Sequence, residues 1–156
     1  MSLIVGVEYC KLDGNGRFKL PIALKKQLMA SEDNRFVIRN SIYNPCLELF
    51  TYSSFLSEVK KLQEKLNPYD PKAKRLYRKF TQANIIEIDS FDRILIPSSQ
   101  RQDVKIEKDI VVVASGKFME IWDATTYKNI DNDNFDYEKA AMDLLGDNNQ
   151  NDVVEE

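Results

Sequence analysis

Apolar residues fall into two kinds of spacing along this chain. Short runs at Phe36-Val37-Ile38, Leu47-Glu48-Leu49-Phe50, Ile110-Val111-Val112-Val113 and Met119-Glu120-Ile121-Trp122 have strand length and are rich in β-branched and aromatic residues. They predict two hairpins, 36–39 with 46–50, and 110–114 with 118–122 around Ser115-Gly116-Lys117. Between them the period changes. Leu56, Val59, Leu62 and Leu66 recur at helical spacing after Ser53-Ser54, residues 67–71 break the chain, and Asp70-Pro71 supplies a cap and a first residue for a second helix. That helix carries Ala73, Leu76, Tyr77 and Phe80 on one face. Its stripe and that of the preceding helix are expected to dock on the β body or on a neighbouring subunit.

The chain repeats itself. Leu12-Asp13-Gly14-Asn15-Gly16-Arg17-Phe18-Lys19-Leu20-Pro21 returns as Ile88-Asp89-Ser90-Phe91-Asp92-Arg93-Ile94-Leu95-Ile96-Pro97, 76 residues on. The shared skeleton is an aliphatic residue, Asp, three residues, Arg, three residues and Pro. Leu47-Glu48-Leu49-Phe50-Thr51 with Phe55 likewise parallels Met119-Glu120-Ile121-Trp122-Asp123 with Tyr127, at an offset of 72. Each copy reads as a strand ending at the Asp (9–12; 85–88), a tight loop, and a second strand from the Arg to the Pro. A short helix (22–29; 98–104) and the hairpin follow. Gly14, Asn15 and Gly16 tolerate positive φ and specify the first loop. The prolines end their strands and suit the first position of a helix.

A mainly β protein with short helices (β+α) is therefore expected, with repeats at 7–54 and 83–126, a helical insert at 55–82, and an acidic, flexible segment at 131–156. A unit of about 45 residues is small for a core of its own, so the two copies should pack together and bring their Asp-to-Arg loops to one face.

Charge alters how that segment and the body are read. Residues 131–156 hold nine acids and one base, a sum of −8, whereas residues 1–130 hold 21 bases and 16 acids, a sum of +5. The segment is Asn- and Asp-rich, the composition of a loosely docked end, with one or two helical turns possible over 140–145. In the body the excess gathers at 58–79, where Lys60, Lys61, Lys65, Lys72, Lys74, Arg75, Arg78 and Lys79 face three acids. A solvated helix face accounts for such a cluster, and nucleic-acid contact is the alternative.

Composition also narrows the chemistry. The chain has no histidine, which removes Ser-His-Asp and Cys-His catalysis and every His-containing metal site, and two cysteines cannot build a Cys₄ zinc centre. Cys10 and Cys46 read as small buried residues of a reducing compartment. The longest apolar run is about five residues (110–114), against about 20 needed to cross a bilayer, so a cytoplasmic protein with no membrane association is expected. Neither a cofactor nor a small-molecule substrate is expected.

The repeated arginine has two readings. Arg17 and Arg93, each at the end of a tight loop, present a planar five-donor group suited to phosphates or guanine edges, with Lys11, Asn15, Lys19 and Lys25 around the first. Alternatively, Asp13 with Arg17 and Asp89 with Arg93 simply pair across their own turns.

Taken together, the doubled Asp-x-x-x-Arg-x-x-x-Pro, Gly6 ahead of Leu12-Asp13, Asp70-Pro71 before a basic helix, and Glu120-Ile121-Trp122-Asp123 resemble the MraZ family over about residues 4–130. These are bacterial transcription factors built of two swapped-hairpin domains of the AbrB/SpoVT type. The resemblance implies a double-split β-barrel formed by the two repeats, joined by the helical hairpin, and a ring-like homo-oligomer. It also implies nucleoid association and sequence-specific binding to repeated elements of double-stranded promoter DNA, regulating the operon of a division and cell-wall gene cluster. By position, the family's DNA-contacting arginine falls on Arg17 and its repeat counterpart on Arg93. The family's glycine before each arginine is kept as Gly16 but replaced by Asp92, whose carboxylate would repel phosphate, so the first loop is expected to dominate. Two other classes stand beside this reading: an antitoxin-like protein-interaction module of the same fold, and a hydrolase using Asp89 with Asp92.

Overall fold

The computed structural model describes residues 3–28, 33–131 and 133–146. Strands β1 (Val7–Lys11) and β2 (Arg17–Lys19), helix α1 (Ile22–Leu28), and the hairpin β3 (Arg35–Asn40) and β4 (Leu47–Thr51) come first. Helices α2 (Tyr52–Lys65) and α3 (Pro71–Thr81) follow, then β5 (Ala83–Glu87), β6 (Arg93–Leu95), α4 (Ser98–Asp103), the hairpin β7 (Asp109–Ser115) and β8 (Phe118–Asp123), and α5 (Ala124–Asp131). Beyond these lie α6 (Tyr137–Ala141) and a π-helical turn, Met142–Gly146. The structure is a mixed β+α protein with a mostly antiparallel sheet and short helices, so the expected β+α class is observed while the expected predominance of β is not, because the insert contributes the two long helices α2 and α3.

The ladders form a six-stranded sheet, β1-β7-β8-β4-β3-β5, and a two-stranded one, β2-β6. First strands are exchanged between the copies: β1 lies on β7 with Tyr9 opposite Val111, and β5 lies on β3 with Ile85 opposite Val37. The two hairpins meet through β4 and β8, where Glu48 faces Glu120, and the small ladder pairs Phe18 with Ile94. Glu48 and Glu120 are 72 residues apart, Phe18 and Ile94 are 76 apart, so both pairings centre on equivalent positions of the two copies.

One face of the large sheet and the small ladder enclose the main core. Phe18, Leu20 and Leu24 of the first copy meet Ile94 and Ile96 of the second, together with Ile38, Leu49, Ile110 and Met119, all at 1% exposure or less. Each such side chain contributes about 1.5–3 kcal/mol by leaving water. The opposite face has two smaller clusters. Val37 and Phe50 pack against Phe55 of α2, and Cys46, Val111 and Trp122 pack with Tyr127 of α5.

Three of the helix starts have a side-chain cap that explains them. Thr51 Oγ1 accepts from the Ser54 amide at 3.2 Å, and Asp70 Oδ1 accepts from the Lys72 amide at 2.9 Å with Pro71 in the first helical position. Asp123 Oδ2 accepts from the amides of Thr125 and Thr126, which starts α5. Pattern reading ends the second copy at 126 and omits that helix.

Other expectations need correction. The strands expected to run from each Arg to its Pro stop after three residues, because the amides of Gly16 and Asp92, which would complete the next ladder pairs with Ile96 and Leu20, turn instead to the Asp13 and Asp89 carbonyls of their own turns. The second hairpin turns on two residues, Gly116 and Lys117, with Gly116 at φ +78°. Helix α3 has no fully buried residue and Leu76 of its stripe is exposed, so the stripe meets this chain's β body only at its end, where Phe80 packs on Arg39 of β3. Of the expected acidic segment, 132 and 147–156 lie outside the described residues, as does Met29 of the expected helix 22–29.

Candidate nucleic-acid interface

The two turns are built alike, bond for bond. In the first, Asp13 Oδ1 accepts from the amides of Asn15 (2.9 Å) and Arg17 (3.0 Å), and in the second Asp89 Oδ1 accepts from those of Phe91 (2.9 Å) and Arg93 (2.8 Å). Backbone bonds from Asp13 N to Arg17 O and from Asp89 N to Arg93 O close them. The residue before each arginine is left-handed: Gly16 at φ +82°, Asp92 at φ +62°. Aspartate tolerates that region better than most residues with a Cβ, so the second turn keeps its shape without glycine. The Asn15 and Arg17 amides, bonding to the carboxylate, hold Asp13 below the usual carboxylate range. At Asp89 the desolvation that raises its pKa is outweighed by hydrogen bonds from Arg93 and Phe91, and the net shift is downward.

Arginine side chains separate the turns. Arg93 Nε bonds to Asp89 Oδ2 at 2.8 Å, its Nη1 lies 3.7 Å from Asp13 Oδ2, and its guanidinium stands 5.2 Å from the Phe91 ring centre. In the second turn, then, the Asp and Arg do pair across their own loop. In the first they do not. Among the described residues the half-buried Arg17 side chain makes no hydrogen bond or ion pair.

The antiparallel β2–β6 ladder sets the turns side by side, with Arg17 opposite Leu95 and Lys19 opposite Arg93. Lys11 ends β1, and with Lys19 it lines a surface cleft shared with Tyr9, Cys10 and Ile22. Lys11, Asn15 and Lys19 are exposed. Lys25 is committed elsewhere: its Nζ stands 3.0 Å from Asp92 Oδ2. Asp92 is therefore ion-paired within the chain, with Lys25, while Asp89 is paired with Arg93. Among the described residues no group of three or more Cys, Asp or Glu side chains is placed to hold a metal ion, and no helix is long and apolar enough to cross a membrane.

Sequence reasoning missed one residue here. Arg101, on α4, lays its guanidinium against Gly16, and a Cβ on that glycine would lie 2.6 Å from Arg101 Cζ. The available signal was the repeat itself, since Arg101 is Lys25 plus 76.

Comparison with known proteins concerns the chain and not its single residues. A family model described as "MraZ protein, putative antitoxin-like" matches residues 80–147, which carries the likeness past residue 130 into the acidic segment. A protein named "Transcriptional regulator MraZ" from Flavobacterium psychrophilum is 37% identical over 96% of this chain and 96% of its own length. Another of that name from Christiangramia forsetii is 32% identical over 94% and 95%, and one from Bacteroides thetaiotaomicron is 31% identical over 72% of each. These relatives are named as regulators, not as enzymes.

Proposed function

The chain belongs to the MraZ family, and from that premise we propose that it is a sequence-specific DNA-binding transcriptional regulator with no catalytic step. The observation that carries the reading is Arg17. Its turn spends Asp13 Oδ1 on two main-chain amides, so the half-buried guanidinium has no partner among the described residues. A planar donor fork so placed suits the O6 and N7 edge of guanine in the major groove.

Lys11 and Lys19 supply phosphate contacts at either side, and Asn15 at the tip contacts backbone or base. Arg93 and Lys25 are secondary contacts, since each must first leave an acid. Those exposed pairs are worth about 1 kcal/mol at most, so DNA competes for them. The exchanged strands support a double-split β-barrel of two swapped-hairpin repeats, with the boundaries 7–54, 55–82 and 83–126 and an acidic segment from 131.

One turn gives a small footprint on a chain with a net charge of −3. A ring-like homo-oligomer engaging several spaced promoter repeats raises the affinity through effective concentration. Its own division and cell-wall operon is the target that family membership favours, in the cytoplasm and on the nucleoid.

Footprinting on the DNA upstream of the protein's own gene tests this. Regularly spaced protection is expected. Uniform or absent protection, with a heterologous protein co-purifying in stoichiometric amount, would move the assignment to an antitoxin-like interaction module.

A further inference from the structure

We propose that Arg101 is a phosphate-binding residue of the first turn, so that the two matched turns are unequal: the first is open to an anion, the second is closed by its own acids. The proposal rests on the DNA-binding reading above and adds to it a residue that neither the motif nor the comparisons assign.

Four side-chain positions carry the argument. Gly16 and Asp92 are equivalent in the two copies, and so are Arg101 and Lys25. In the second turn the pair is complete: Asp92 presents a carboxylate and Lys25 stands 3.0 Å from it. In the first turn the carboxylate is missing, and the space it would occupy is filled by the cation itself. The ideal Cβ position on Gly16 is 2.6 Å from Arg101 Cζ, 2.8 Å from Nη1 and 2.9 Å from Nε. Only glycine permits so close an approach.

Among the described residues the charge brought there has no counter-ion. Arg101 Nε is buried without a hydrogen-bond partner, and among the described residues the side chain makes no ion pair. Asp13, the acid of that turn, has Oδ1 committed to two amides and Oδ2 directed at Arg93 Nη1. A partly buried guanidinium left unpaired is costly, and most buried polar groups find partners. The second copy shows what relieves it: an anionic oxygen beside the cation. In the first copy a DNA phosphate supplies that oxygen. Arg101 lies over Gly16 and Arg17 follows it in the chain, so two guanidinium groups flank one glycine. The geometry assigns one to the backbone and leaves the other for the base.

The test uses the full chain in two arms. Fluorescence anisotropy over a range of KCl concentrations compares wild type, Arg101→Gln and Arg101→Lys on the upstream DNA and on an unrelated duplex. Arg101→Gln is expected to bind both duplexes about ten-fold more weakly, with the salt slope reduced by about one, and Arg101→Lys to keep the slope. In the second arm inorganic pyrophosphate is titrated into ¹⁵N-labelled protein. The Gly16 and Arg17 amides should shift in wild type and not in Arg101→Gln. Unchanged slopes in Arg101→Gln overturn the proposal, as does an Arg101→Lys variant that loses the slope too, because the role is then packing and not charge. If wild type binds neither duplex while pyrophosphate still moves those amides through Arg101, the anion site stands and the DNA reading falls. If pyrophosphate moves nothing either, both fall.

Discussion

Lys25 Nζ and Asp92 Oδ2, 3.0 Å apart and 67 residues apart in sequence, tie the first helix of one copy to the turn of the other. The bond also explains how a carboxylate is kept at a left-handed position beside an arginine. Replacing Asp92 separates its two effects. Asp92→Gly loses an ion pair whose side chains are 38% and 35% exposed but relieves the strain at φ +62°, so its stability should stay within about 1 kcal/mol of wild type. Asp92→Ala loses the pair and keeps the strain, and should fall below the glycine variant by about 1 kcal/mol. Urea unfolding of the three proteins decides the order.

A second pair anchors the helical insert. Arg39 Nε meets Glu48 Oε1 at 2.7 Å with side chains only 9% and 7% exposed, Arg39 Nη1 donates to the Phe80 carbonyl at the end of α3, and Phe50 and Phe80 pack on the guanidinium. Glu48→Ala strands that buried charge and should cost about 3–5 kcal/mol. The double variant Arg39→Met/Glu48→Leu should recover much of the loss, since hydrophobic replacement of a whole buried pair is often neutral. Chemical denaturation of single and double variants measures both.

The turn carboxylates carry a pH signature. Asp13 is held low chiefly by the Arg17 and Asn15 amides, and Asp89 is lowered on balance by its bonds to Arg93 and Phe91 despite desolvation. A depressed folded-state pKa gives stability that is complete above the ordinary Asp value and is lost as pH falls through the lower folded value. The turns should therefore be insensitive to pH near neutrality and loosen only in acid, below about pH 4. Carboxyl ¹³C titration should place both groups below the ordinary aspartate value.

Of the two thiols expected to be buried, Cys46 is interior and Cys10 is half-buried at the surface cleft, and both are raised. Burial, then Glu8, pushes Cys10 up to about 11, and burial, then Glu120 and Glu48, pushes Cys46 up to about 12. At about pH 8 a thiol reagent should modify Cys10 slowly and reach Cys46 only on unfolding. Rapid labelling of Cys46 in the native protein would show that its cluster with Val111 and Trp122 opens.

Local chemistry was the legible part of this chain. The spacing of Asp13 and Arg17 specified a turn, and Asp70-Pro71 specified a helix start, because each rests on bonds within a few residues. The partners of the first strands were not legible. Alternation in β1 says which face is buried but not that Val111 rather than Val37 lies opposite Tyr9. Helix α5 was missed although Asp123 sits where Thr51 caps α2, because its apolar pattern is weak. Arg101 was overlooked for a different reason: a charged residue on a short helix reads as solvent-facing, and only the open side of Gly16 shows where the guanidinium goes. The same limit applies to Lys25, named from its nearness to the loop in sequence and found against Asp92.

The most direct measurement compares Arg17→Ala and Arg93→Ala with wild type by anisotropy on the upstream DNA and on an unrelated duplex at several salt concentrations. The predicted result is that Arg17→Ala loses about 1–3 kcal/mol of preference for the upstream DNA, so that its two affinities converge, while Arg93→Ala loses less. An Arg17→Ala protein that retained both affinity and preference would contradict the assignment of the first turn as the reading element.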